Sequence, residues 1–101
     1  MDSLAVLADP VRLGIVESLA RQPASVGALA ARFPISRPAI SRHLRLLREA
    51  GLVDSRSEGT RHVYLVRPEG VALVREYMDQ LWQEATKRYT LTVENLDEEA
   101  K

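Results

Sequence analysis

A break of only three residues, Phe33-Pro34-Ile35, separates two segments that both read as helices, and this constrains the fold more than any other feature of the chain. Ser25 stands where its hydroxyl can cap a short helix over residues 26–32, in which Val26, Leu29 and Ala30 are spaced to point inward. Ser36 stands the same way before a longer segment over residues 37–50. Pro38 is tolerable in that first turn, where its missing N–H would have no intrahelical partner, and Gly51 supplies the usual left-handed stop.

The flanks complete the pattern. Residues 4–8 suit a short first helix, and Asp9-Pro10 reads as a cap followed by proline at the first helical position. Leu13, Val16 and Leu19, with Ile15 beside them, then mark one broad apolar face until Gln22-Pro23 ends it. After Gly51 come two short β-prone runs, residues 52–56 and 61–66, joined by the turn-forming Ser57-Glu58-Gly59-Thr60. Pro68-Glu69 opens a last helix expected to end near Tyr89. Residues 90–101, which hold Glu94, Asp97, Glu98 and Glu99, are expected to be an acidic, frayed tail. The expected architecture is therefore mainly α with a small β-hairpin: a winged helix-turn-helix over residues 1–89, whose first and last helices form a dimer interface.

A chain of 101 residues has room for one domain and buries only about two thirds of its unfolded surface, so a dimer would help close the core. No apolar run approaches the roughly 18 residues of a membrane span. Met1 leads directly into Asp2-Ser3-Leu4 without a basic stretch and apolar signal core, and the expected location is the cytoplasm, with no membrane partner. With 0 cysteines, disulfides, thiolate catalysis and cysteine-based metal or redox chemistry are excluded. The formal net charge of +0 hides a division: residues 1–66 hold nine Arg against six acids, and residues 67–101 hold five bases against eight acids. Lys is absent before Lys87, so the basic part is built from the side chain that pairs bidentately with phosphate and guanine.

At about 100° per residue, Ile40, Leu44 and Leu47 share one narrow sector of the 37–50 helix and must pack on the body of the domain. Measured from that sector, Arg42 lies about 190° away, Pro38 about 150°, Arg45 about 130° and Ser41 about 90°. A merely solvated helix interleaves Glu with Lys at i,i+4, whereas this one has Arg37, Arg42, Arg45 and Arg48 before its only acid, Glu49. The candidate DNA-binding residues are thus Ser36, Arg37, Pro38, Ser41, Arg42 and Arg45, with Arg56, Arg61 and His62 on the hairpin, or wing. His43 and His62 lie in different elements and make a poor metal site, so neither metal nor cofactor is expected.

The last helix carries Val74, Met78, Leu81 and Ala85 on one line with Trp82, Val71, Tyr77 and Tyr89 beside it, a stripe too wide for one small domain. Together with Leu4 and Leu7 it is the expected homodimer seam. No Ser/His/Asp set, carboxylate pair or glycine-rich phosphate loop is present, so no enzymatic activity is expected. The alternative to a DNA-binding regulator is a helical adaptor that meets a protein partner through the same Arg-rich face.

These residues resemble the ArsR family of regulators. Val6-Leu7-Ala8-Asp9-Pro10-Val11-Arg12-Leu13-Gly14-Ile15 is similar to the family's opening, and Ser25-Val26-Gly27-Ala28-Leu29-Ala30 resembles its third helix. Ser36, and Ser41 through Val53, resemble its recognition helix, and Gly59 with Tyr64 its wing. The resemblance implies a homodimeric repressor that binds an imperfect palindrome in double-stranded operator DNA until a signal releases it. The family's arsenic-sensing cysteines correspond to Ser25 and Gly27 here, and the last helix has Asp79 without the histidines of zinc-sensing members. The resemblance thus implies an inducer other than those metals, or none.

Overall fold

The computed structural model describes residues 2–100. Helices α1 (Asp2–Leu7), α2 (Pro10–Arg21), α3 (Val26–Arg32) and α4 (Arg37–Glu49) precede a hairpin of β1 (Val53–Glu58) and β2 (Arg61–Val66), and α5 (Pro68–Ala100) closes the chain. The three expected caps are formed. Asp9 accepts from the N–H groups of Val11 at 2.8 Å and Arg12 at 3.1 Å, Ser25 from Ala28 at 3.2 Å, and Ser36 from Ala39 at 3.3 Å. The N–H of Arg12 above all, with that of Val11 and the charges of Arg12 and His43, holds the Asp9 carboxyl below the ordinary carboxylate range; burial opposes them and is second in size only to the Arg12 N–H.

Ile15, Val16 and Leu19 of α2, Leu29 of α3, Ile40, Leu44 and Leu47 of α4, and Leu52 and Val53 form the buried core. Leu13 departs from the sequence expectation and is 42% exposed. It lies about 115° around α2 from the mean direction of Ile15, Val16 and Leu19, outside the face that packs.

The end of α4 fixes where the hairpin and α5 begin. Gly51 adopts φ 75. Its N–H donates to the Arg48 carbonyl at 2.9 Å, and the Leu52 N–H reaches the Leu47 carbonyl at 2.9 Å. This 6→1 and 5→2 pair is a Schellman stop, sealed by the fully buried Leu47 and Leu52. The buried Ser3 hydroxyl of α1 donates to the neighbouring Ala50 carbonyl at 3.0 Å. Gly70 packs so closely that a Cβ there would stand 2.2 Å from the Gly51 oxygen.

The hairpin differs in detail from the sequence reading. Ser57 and Glu58 extend β1 to pair with His62 and Arg61, which leaves a two-residue loop, Gly59-Thr60. Gly59 has φ 63 and Thr60 does not share a positive φ, the pattern of a II′ turn. The hairpin base is tied to the α2–α3 connection, where Ala24 and Tyr64 exchange hydrogen bonds of 3.1 and 2.8 Å.

The expected end of the last helix near Tyr89 is corrected: α5 continues to Ala100. Neither Gly nor Pro occurs after Gly70, and Val93 and Leu96 extend the apolar spacing, so no breaker stands between Tyr89 and the chain's acidic end. Only Gly70 of α5 is buried. The radius of gyration is 19.1 Å, against about 13 Å for a compact chain of this length. The excess comes from α5 projecting beyond the body.

Candidate nucleic-acid interface

The candidate surface is built on α4, whose two faces differ completely. Ile40, Leu44 and Leu47 are buried, while Ser36, Arg37, Pro38, Ser41, Arg42 and Arg45 are all exposed. Among the described residues, Arg37, Arg42 and Arg45 form no ion pair with a carboxylate. Three guanidinium groups therefore stand free to meet anions, next to a helix N-terminus whose positive end favours the same charge. Pro38 occupies the first turn without an N–H, and Ser36 uses one lone pair on its cap, which leaves its O–H able to donate.

Arg37 does not extend straight outward. Its guanidinium lies against α3, where a Cβ on Gly27 would come 3.0 Å from its Nη2. The position that resembles a metal-ligand site in other members thus holds the residue that leaves room for an arginine of α4.

α4 is locked from behind. Arg12 of α2 donates from Nε to the Val6 carbonyl at 2.8 Å and from Nη1 to His43 Nδ1 at 3.4 Å. Arginine only donates, so Nδ1 is the acceptor in this contact. One guanidinium thereby joins α1, α2 and α4, and His43 is half-buried in this join.

The wing does not present its three candidate residues together. Arg56 faces Val63 and Arg61 faces Glu58 on one side of the hairpin, while His62 pairs with Ser57 on the other. Arg56 also lies 3.6 Å from the Glu58 carboxylate. His62 shares its side with Tyr64, which lines an open cleft of about 320 Å³ with Ser41, Arg45, Arg48 and Glu49. Arg48 and Tyr64 were not singled out from the sequence as contact residues. Tyr64 faces α4 residues across the cleft and bridges to Ala24, tertiary contacts with no local signature.

The candidate seam residues lie apart from this surface. Leu4, Leu7 and Val74 are half-buried, and Val74 packs on the core, whereas Met78, Leu81, Trp82 and Ala85 are exposed. Among the described residues no group of three or more His, Asp and Glu is placed to hold a metal ion, and no helix is long and apolar enough to cross a membrane.

Comparison with known proteins agrees with this layout. Residues 7–56 match a family described as a helix-turn-helix domain. An HTH-type transcriptional regulator of Mycobacterium tuberculosis is 45% identical over 88% of this chain and 83% of its own length. The arsenical resistance operon repressor of Escherichia coli K12 is 37% identical over 90% of this chain and 79% of its own. Among solved structures, the homodimeric winged helix-turn-helix DNA-binding domain of a possible ArsR-family regulator from Mycobacterium bovis aligns with a TM-score of 0.66. That alignment has 31% identity and covers 82% of this chain and 77% of that one. With the same order of helices and wing, and identity spread over most of both relatives, the chain belongs to the ArsR family of winged helix-turn-helix transcriptional regulators.

Proposed function

We propose that the protein is a homodimeric repressor that binds a palindromic operator, with α4 in the major groove and the wing on the flanking backbone. The observation that carries the proposal is the face of α4 opposite Ile40, Leu44 and Leu47, where Arg37, Arg42 and Arg45 are exposed without ion-pair partners beside Ser41. Arg37 and Arg42 are suited to bidentate pairing with guanine O6 and N7, and Ser41 to a neighbouring base edge. Ser36 and the helix N-terminus suit one phosphate, and Arg45 the next. Arg61 and Arg56 suit the minor groove or the backbone beside it, while His62 turns with Tyr64 toward α4 and suits the intervening phosphates.

Homodimerisation through α1 and α5 is supported by the exposed stripe of Met78, Leu81 and Trp82 and by the homodimeric state stated for the Mycobacterium bovis relative. Residues 1–89 then supply both the reading head and most of the seam. Two-fold symmetry in the protein calls for two-fold symmetry in the site, with half-sites about 34 Å apart or a multiple of that.

The test is selection of bound duplexes from a random-sequence pool by the purified protein. Recovery of an inverted repeat with that half-site spacing is the expected result. Enrichment of an unrepeated site would remove the dimeric reading mode, and no enrichment at all would leave the Arg face to a protein partner.

A further inference from the structure

The middle of α4 is tied to the body by a polar join that contains an imidazole. Arg12 of α2 donates from Nη1 to His43 Nδ1 at 3.4 Å and from Nε to the Val6 carbonyl of α1 at 2.8 Å. The Asp9 carboxylate, which caps α2, stands 3.9 Å from the same Nη1. The Arg12 side chain is 19% exposed and His43 is half-buried, so water replaces little of what the contact supplies.

A guanidinium has no acceptor, so this contact needs a free lone pair on the ring. An imidazole protonated on both nitrogens has none. It also sets a second positive charge against Arg12 where partial burial weakens screening. Histidine is the one side chain whose ordinary titration falls between about pH 5 and 8.

The charges around the ring do not offset that change. From α2 and its cap, Arg12 and Asp9 face it. Asp9 attracts a charged ring, but its carboxylate is already engaged by Arg12 and by the N–H groups of Val11 and Arg12. Residues 3–7 of α1 are uncharged. The one charged residue of α3, Arg32, donates to Ser18 at 2.8 Å, and Asp54 of β1 accepts from the Ser55 N–H at 2.9 Å. On α4 itself the residues one turn away, Ala39, Ile40, Leu46 and Leu47, are uncharged.

We propose that Arg12 and a neutral His43 position α4 for reading DNA, and that protonation of the ring breaks the join and lowers the preference for the operator. The proposal rests on the DNA reading above and adds its control by pH. His43 is a positioning residue: it stands between Arg42 and Arg45 in the chain but meets Arg12 of the body, and acts through the placement of its neighbours. Base-edge contacts tolerate a misplacement of about 0.5 Å, so loosening α4 at its middle costs sequence preference before it costs attraction to phosphate.

The readout is the ratio of affinities for the selected duplex and for a scrambled one, at fixed salt, from about pH 7.5 down to about pH 5.5. A charge gained on either histidine attracts both duplexes alike and cancels in the ratio. The parent's ratio is expected to fall about tenfold, the worth of one hydrogen bond at the upper end of its usual range. His43→Asn places an amide oxygen where Nδ1 stands and does not titrate, so it is expected to hold the parent's high-pH ratio throughout. His43→Leu removes the acceptor and is expected to give a low ratio at every pH. Circular dichroism and thermal unfolding verify the fold of each variant. If His43→Leu disturbs it, Arg12→Met removes the donor instead, with the same low and constant ratio expected.

A parent ratio that stays constant with pH would overturn the proposal. So would a His43→Asn protein that falls as the parent does, since His62, the chain's other histidine, is retained there. A His43→Leu protein with the parent's profile would overturn it as well. A parent that prefers neither duplex at any pH would remove the DNA reading itself, a distinct result.

Discussion

Gly70→Ala is expected to destabilise the protein even though alanine is the better helix former. The added Cβ would stand 2.2 Å from the Gly51 oxygen, 3.0 Å from its carbonyl carbon and 3.1 Å from Leu52 Cα. All three neighbours are backbone, so no side chain can rotate away. An ordinary contact requires the base of α5 to move outward by about 1.2 Å from the corner where α4 ends and β1 begins. Overpacking against rigid structure costs about 3 kcal/mol at the upper end of its usual range. Replacing a helical glycine by alanine returns about 1 kcal/mol. The net loss is about 2 kcal/mol, or a fall in Tm of roughly 8–16 °C for a chain this size. Thermal and urea unfolding followed by circular dichroism, at one fixed protein concentration, read it directly. Gly51→Ala is the companion measurement: nothing lies within 4 Å of its Cβ, but φ is +75, so its cost is that of the left-handed conformation, about 1–2 kcal/mol. A Gly70→Ala protein as stable as the parent, or more so, would refute the close approach of α5 to the α4 stop.

Ser36→Ala removes the acceptor at the start of α4 and is expected to cost about 1 kcal/mol in urea unfolding. Asp9→Asn keeps a capping oxygen but not the charge. The folded-state pKa of Asp9 is lowered, so its stabilising effect is present above the unfolded value and lost as pH falls through the folded one, below about pH 4. The gap in urea midpoint between parent and variant should therefore narrow on going from pH 6 to pH 3, and a constant gap would contradict this. Trp82→Ala is expected to leave helical content unchanged while weakening dimerisation by about 2 kcal/mol, close to thirtyfold in Kd, as measured by sedimentation. An unchanged Kd would take Trp82 out of the seam.

Much of the fold was legible because its punctuation is local. Asp9, Ser25, Ser36 and Gly51 each act on backbone groups within three or four residues, and those are the places where sequence and structure agree. The wheel of α4 was equally legible, since Ile40, Leu44 and Leu47 could only face the body. What depended on tertiary contact was not. The Arg12–His43 join and the Ala24–Tyr64 bridge are set by which elements meet, not by spacing along the chain, whereas the exposure of Leu13 and the separation of His62 from Arg56 and Arg61 follow from the helical turn and from strand alternation. The continuation of α5 was misread for a different reason. A cluster of acids resembles a solvated tail, yet the absence of Gly and Pro and the spacing of Tyr89, Val93 and Leu96 carried the helical signal through it.

The central claim is that the Arg face of α4 reads DNA. Its most direct measurement is the affinity of the parent and of Arg42→Ala for the duplex recovered by selection and for a scrambled duplex of equal length, across a series of salt concentrations. The parent is expected to prefer the selected duplex at least a hundredfold, to weaken steeply with salt, and to lose about 1–3 kcal/mol of that preference on Arg42→Ala. Equal affinity for both duplexes, or an Arg42→Ala protein that discriminates as well as the parent, would contradict the assignment.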